Sequence, residues 1–154
     1  MKLNLGYKDW LEKYFPVEPS RKMTWEEAVT HCIQKWSGAH ERVLEKHNAV
    51  KGTDSGIYFA PSGKAFHFDS TTCALCVKTG LERNNCEPCP LYYVRGRVEC
   101  SGKLPEEFES PYDEFVYRDD FSAMLKWLRA TRLFLKTKKW REIVAQHETK
   151  KKGL

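Results

Sequence analysis

The sequence predicts an α+β fold: a small β-hairpin joined to a cysteine knuckle, packed with two long helices and short extra helices. Three observations carry this expectation. Apolar residues recur at helical spacing over most of residues 25–47 and again from Phe121 to Leu135. Between these stretches, Ile57-Tyr58-Phe59 and Ala65-Phe66-His67-Phe68 are short β-type runs around the turn residues Pro61-Ser62-Gly63-Lys64. Directly after them, residues 73–89 read CALCVKTGLERNNCEPC, two C-x-x-C pairs across a nine-residue loop.

Taken in order, residues 7–15 read as a short helix with Tyr7, Trp10, Leu11, Tyr14 and Phe15 on one side, stopped by Pro16 and Pro19. Thr24 is a good N-cap and Glu27 stands three residues later, which makes a capping box. Trp25, Ala28, Val29, Cys32, Ile33, Trp36, Val43 and Leu44 continue the helical face, and Ser37-Gly38 is placed to kink or split it. On that face Cys32 reads most simply as core. His31, His40 and His47 show no ligand spacing and read as polar residues at helix borders. Residues 51–56 form a loop, and neither it nor Pro61-Ser62-Gly63-Lys64 matches a phosphate-binding P-loop. Beyond the knuckle, Leu91-Tyr92-Tyr93-Val94 reads as a strand, broken by Gly96. Ser110-Pro111-Tyr112-Asp113 reads as a helix start, with serine as cap and proline at the first helical position. Asp119 or Asp120 is expected to cap the last helix. There Phe121, Met124, Leu125, Leu128, Thr131 and Leu135 form one face, widened by Trp127 and Phe134.

The cysteines carry the chemistry. A tight C-x-x-C turn points two sulfurs the same way, so two pairs supply the four corners of a tetrahedron. Cys73, Cys76, Cys86 and Cys89 are therefore the expected ligands of one structural Zn2+, with Cys100 in reserve as a replacement ligand or a free thiol. Thiolates are soft donors, so iron or an iron–sulfur cluster also fits this pattern. Disulfides or a redox pair are the competing reading. Disulfides need an oxidising compartment, and the N-terminus, MKLNLGYKDWLEKYF, carries no secretory segment. The expectation is a single zinc-stapled globular domain over residues 1–149, with 150–154 as a disordered basic tail. No apolar run approaches the length that spans a bilayer, so no membrane partner is expected and the compartment is read as cytoplasmic.

The net charge of +5 is unevenly spread. Residues 104–120 hold seven acids against Arg118, whereas residues 121–154 hold ten Lys or Arg against Glu142 and Glu148. Such asymmetry points to an anionic partner for the C-terminal end. The expected interaction surface is Lys126, Arg129, Arg132, Leu133, Lys136, Lys139, Trp140 and Arg141, with Trp140 as aromatic anchor. A solvated basic back on a core helix is the plainer account of the same residues.

The order C-A-L-C, C-E-P-C-P-L, Cys100 and S-P-Y resembles that of short cysteine-rich proteins from tailed phages and prophages, over about residues 73–130. That resemblance implies a phage-encoded accessory protein acting inside a bacterial cell. It carries no activity with it, and the basic extension after residue 136 is not part of the shared pattern. Two classes of function follow. The first is a non-enzymatic interaction protein, ordered by zinc, that binds a host protein or nucleic acid and inhibits a host defence or nucleic-acid enzyme. The second is an enzyme acting on nucleotides or nucleic acid, using Asp54, His67, Asp69 and the acids of residues 106–120. A shell of four cysteines leaves no open position for catalysis, and no carboxylate cluster is defined. Sequestration of a small nucleotide is a third possibility.

Overall fold

A computed structural model describes residues 22–38, 40–46, 50–51, 57–59, 65–67, 73–79, 86–118 and 120–151. The expected helix over residues 7–15 lies outside the described residues, as do Asp54, Asp69 and His47.

The capping box forms as expected. Thr24 Oγ1 accepts the Glu27 N–H at 3.2 Å, and Glu27 Oε2 accepts the Thr24 N–H at 3.1 Å. Two of the helix's orphan donors are thereby satisfied. Helix α1 (Trp25–Gly38) starts there and ends at Gly38, and α2 (Glu41–Lys46) follows. Ser37-Gly38 therefore splits the helical stretch. Thr24→Ala is expected to cost about 1 kcal/mol, read as a lower urea midpoint at unchanged slope.

Three short segments follow: β1 (Val50–Lys51), β2 (Ile57–Phe59) and β3 (Ala65–His67). They pair antiparallel in the order β1-β2-β3, with Val50 opposite Phe59 and Tyr58 opposite Phe66. The remaining regular elements of the described chain are helices: α3 (Ala74–Thr79), α4 (Pro90–Val94), α5 (Pro111–Arg118), α6 (Ser122–Phe134) and α7 (Lys138–Lys151).

The α+β expectation is thus corrected to a helical class. The described core is built by helix on helix, not by helices on a sheet. Helices α1, α4 and α5 each pack against α6, and α3 packs against α1. The buried cluster draws Val29, Cys32 and Trp36 from α1, Leu75 from α3, Leu91 from α4, Phe115 from α5, and Leu125 and Leu128 from α6. The paired segments are only two or three residues long.

The strand expected at Leu91–Val94 is the clearest local error. Pro90 occupies the first turn of α4, where its missing N–H costs nothing and its fixed φ favours the helix. Gly96 then ends the helix instead of breaking a strand. It takes φ 71°, its N–H donates to the Tyr93 carbonyl at 3.1 Å, and the Arg97 N–H donates to the Tyr92 carbonyl at 2.8 Å. That is a Schellman ending, which favours glycine for its left-handed backbone.

The C-terminal helix pair is arranged by its caps. Ser110 Oγ accepts the Asp113 N–H at 3.0 Å and Pro111 opens α5, as expected. Asp120 Oδ1 accepts the Ser122 N–H at 3.0 Å ahead of α6. A third cap, unexpected from the sequence, lies at Thr137. Its hydroxyl donates to the Phe134 carbonyl at 2.7 Å and accepts the Trp140 N–H at 3.3 Å. The chain turns there, and α7 runs on to Lys151, two residues into the stretch expected to be a disordered tail. Residues 152–154 lie outside the described residues. Among the described residues no helix is long and apolar enough to cross a membrane.

Candidate metal centre

Helix geometry brings the cysteines together. Cys73 stands immediately before α3, and its carbonyl accepts the Val77 N–H at 2.9 Å. Cys76 follows one turn later on the same helix. The second pair forms a tight turn in which the Cys89 N–H donates to the Cys86 carbonyl at 2.8 Å. Cys89 then leads into α4, its carbonyl accepting the Tyr92 N–H at 3.1 Å. Cys100 lies in the loop between α4 and α5, where its carbonyl accepts the Tyr112 N–H at 3.2 Å. All six cysteines are free thiols; Cys32 is buried and the other five are partly exposed.

Sequence reasoning missed the contribution of α1. Cys32 Sγ lies 3.7 Å from Cys73 Sγ, although 41 residues separate them. Core periodicity placed Cys32 correctly in the interior but gave no sign of what it meets there. Cys73 is drawn well below an ordinary thiol by contact first with Cys32 and then with Cys76. The same contact with Cys73, reinforced by burial, pushes Cys32 up. Contact with Cys73 and burial push Cys76 up as well. Burial raises Cys86 and Cys89 and takes Cys100 up to about 12, with the field of Cys73 adding to each. Five thiols from the knuckle and its following loop, with Cys32 from α1, therefore sense one another.

Two basic groups and one imidazole adjoin the thiols. Lys35 is fully buried, and its charge acts on Cys73, Cys32 and His31. Arg95 is buried and its charge acts on Cys100. His31 is 5% exposed, and neither ring nitrogen has a hydrogen-bond partner. Burial first, then Lys35, lowers its pKa, against the pull of Cys73. A buried polar atom without a partner costs about 1–3 kcal/mol.

These donors fit a thiophilic metal in chemistry. Zinc–sulfur bonds of about 2.3 Å put tetrahedral ligands about 3.8 Å apart, close to the Cys32–Cys73 spacing. The same spacing is an ordinary sulfur–sulfur contact, so it permits a shared ion without demanding one. Among the described residues no group of three or more His, Cys, Asp or Glu forms a ready-made cage. Four thiolates around a divalent ion leave a net charge of about −2, and Lys35 and Arg95 carry charge of the opposite sign.

The second expected site is only partly as the sequence placed it. Lys126, Arg129, Arg132, Lys136, Lys139 and Arg141 are all exposed, and Leu133 is 67% exposed among them. Residues 122–141 contain seven Lys or Arg and no Asp or Glu. Trp140 does not belong to this surface. It is 5% exposed, with Trp25, Tyr93 and Phe134 at ring centroid distances of 5.7, 6.3 and 5.9 Å. The Thr137 turn re-aims the first turn of α7, so Trp140 leaves the basic stripe and closes the core against α1 and α4. The acids of residues 104–120 are partly absorbed internally, Glu107 by Arg95 and Glu109 by Arg118. The His67 side chain lies outside the described residues.

Fold and site together define a helical protein with a cysteine cluster where α1, α3 and the start of α4 meet, and an exposed basic stripe on α6 and the turn into α7. No protein family, curated protein or solved structure matches the chain.

Proposed function

We propose that this is a non-enzymatic interaction protein, phage-encoded and acting in the cytoplasm of a bacterial host. In this reading the cysteine cluster holds structural Zn2+, and the basic stripe binds a host macromolecule, inhibiting a host defence or nucleic-acid enzyme. The observation that carries it is the stripe itself. Arg129, Arg132, Leu133 and Lys136 follow one another at spacings of one to three residues, exposed, with no described ion pair. Lys126 adds to them while lying 5.9 Å from the Trp127 ring. Charge of one sign over about three helical turns suits a regular row of anions such as a phosphate backbone. With Trp140 in the core, the stripe has no exposed aromatic on which a base would stack. Phosphate contact in place of base recognition is the expected mode.

The test is anisotropy of a short labelled DNA duplex against wild type and the double variant Arg129→Glu/Arg132→Glu over a range of salt. The expected result is binding whose log affinity falls steeply with log salt, by about 0.9 per phosphate neutralised, and which the double variant loses. Circular dichroism on the same samples verifies the fold, which these exposed positions should not disturb. Absent or salt-insensitive binding would overturn the phosphate reading and leave an acidic host protein as the partner to seek.

A further inference from the structure

We propose that the outward side of α7 reads base edges in the major groove of a DNA duplex whose phosphates the stripe holds; this rests on the phosphate reading above. The first support is how α7 is held. Trp140 and Ile143 are buried, Val144 and His147 are half-buried, and at helical spacing all four lie on one side. Trp140 packs against Trp25, Tyr93 and Phe134. Two turns further on, His147 Nε2 and the Tyr93 hydroxyl are hydrogen-bonded at 2.9 Å. Two anchors on the same side, one early and one late, fix the rotation of the helix about its axis. The opposite side is therefore presented in one orientation before any partner arrives, which lowers the ordering cost of binding.

The second support is what that opposite side carries. Lys138, Arg141, Glu142, Ala145, Gln146 and Thr149 are its exposed residues. Only Leu135, Lys136 and Thr137 separate α6 from α7, so Lys138 and Arg141 continue the charge of the stripe onto the second helix. Beyond that first turn the chemistry changes. A side that only met phosphate would gain from Lys or Arg at positions 145, 146 and 149, as α6 has at 129 and 132. Here a methyl, an amide and a hydroxyl stand there instead.

These are groups that tell bases apart. Glutamine bonds adenine through two edges of its amide, arginine does the same to guanine, and alanine or a threonine methyl packs on the methyl of thymine. Glu142, Ala145, Gln146 and Thr149 stand at i, i+3, i+4 and i+7, the spacing at which a helix lying in the major groove touches successive base edges. Lys138 and Glu142 meet at 3.9 Å, but both are well exposed, so the pair is weak and free to exchange partners. The two helices divide the work. Contacts from α6 to phosphate set position and leave the sequence unread, and α7 adds the selectivity that the stripe lacks.

Selection from a pool of DNA duplexes with random interiors, bound by the full chain over several rounds, tests this. Enrichment of one short sequence is the expected result. Gln146→Ala is expected to bind the enriched duplex about tenfold or more weaker, while its affinity for an unselected duplex stays that of wild type. Alanine favours the helix at this exposed position, so circular dichroism should not change. Binding without enrichment would overturn the inference and leave the phosphate reading standing. No binding of any duplex would overturn both. An enriched sequence that Gln146→Ala and Arg141→Ala hold as tightly as wild type does would also sink the proposal, because the reading would then come from another part of the chain.

Discussion

If the cysteines hold structural Zn2+, as proposed, a strong chelator is expected to take away most of the protein's stability. Small domains are stable by only about 5–15 kcal/mol. Structural zinc sites in small domains contribute about 10–16 kcal/mol of apparent binding free energy at neutral pH. Here the thiols lie against α1, α3 and the start of α4, the same elements that supply Val29, Leu75 and Leu91 to the core. The measurement is a urea melt with and without chelator, alongside metal content by mass spectrometry in wild type and Cys73→Ser. About one ion per chain, lost together with the cooperative transition, is the expected outcome. Acid should have the same effect, because protons compete with the ion for every thiolate. A metal-free chain that unfolds cooperatively would end the zinc reading. The cysteines would then be redox groups, and an enzyme would become the better hypothesis.

What the sequence made legible follows from how local each signal is. The Thr24–Glu27 box and the Ser110–Pro111 start depend on residues three apart, and both formed. The helix split at Ser37-Gly38 is equally local. Leu91–Val94 misled because a four-residue apolar run has no period long enough to tell a buried turn of helix from a strand. The deciding residues were its neighbours, Pro90 and Gly96, which are helix punctuation at both ends. The fold class failed for the same reason, since short β-type runs were weighted as a layer although the core is made by longer helical stretches. Trp140 misled because it stands among the basic residues that follow Leu135. Thr137 is a weak signal in a basic run, yet it restarts the helix and turns the tryptophan inward. The meeting of Cys32 with Cys73 could not be read at all. Nothing local links two residues that far apart, and the only trace was a lone cysteine on an apolar face, which is ordinarily core.

Glu107→Ala is expected to cost about 3–5 kcal/mol, because it strands a buried guanidinium. The Arg95 side chain is 0% exposed. It donates to Glu107 through two nitrogens, Nη1 at 3.0 Å and Nη2 at 2.8 Å. It also donates to the Gly102 carbonyl at 2.6 Å and the Glu99 carbonyl at 3.3 Å, and lies over the Trp127 ring at 4.9 Å. Glu107 in turn accepts the Leu104 N–H at 2.9 Å. The pair thus closes the loop that carries Cys100, with α6 as its floor. Glu107 is held below the usual carboxylate range, first by its bond to Arg95 and further by the Leu104 N–H, against some burial. A depressed carboxylate stabilises the fold above its unfolded value, and that stability is lost as pH falls through the folded one. Wild type should therefore lose stability steadily below the ordinary glutamate range, and Glu107→Gln should flatten this part of the profile. Arg95→Met is expected to cost less than Glu107→Ala, since Glu107 is 16% exposed and can recover water when its partner goes. The double variant Arg95→Met/Glu107→Ala should cost well under the sum of the two. Additive costs would mean that packing, not the ion pair, holds this loop.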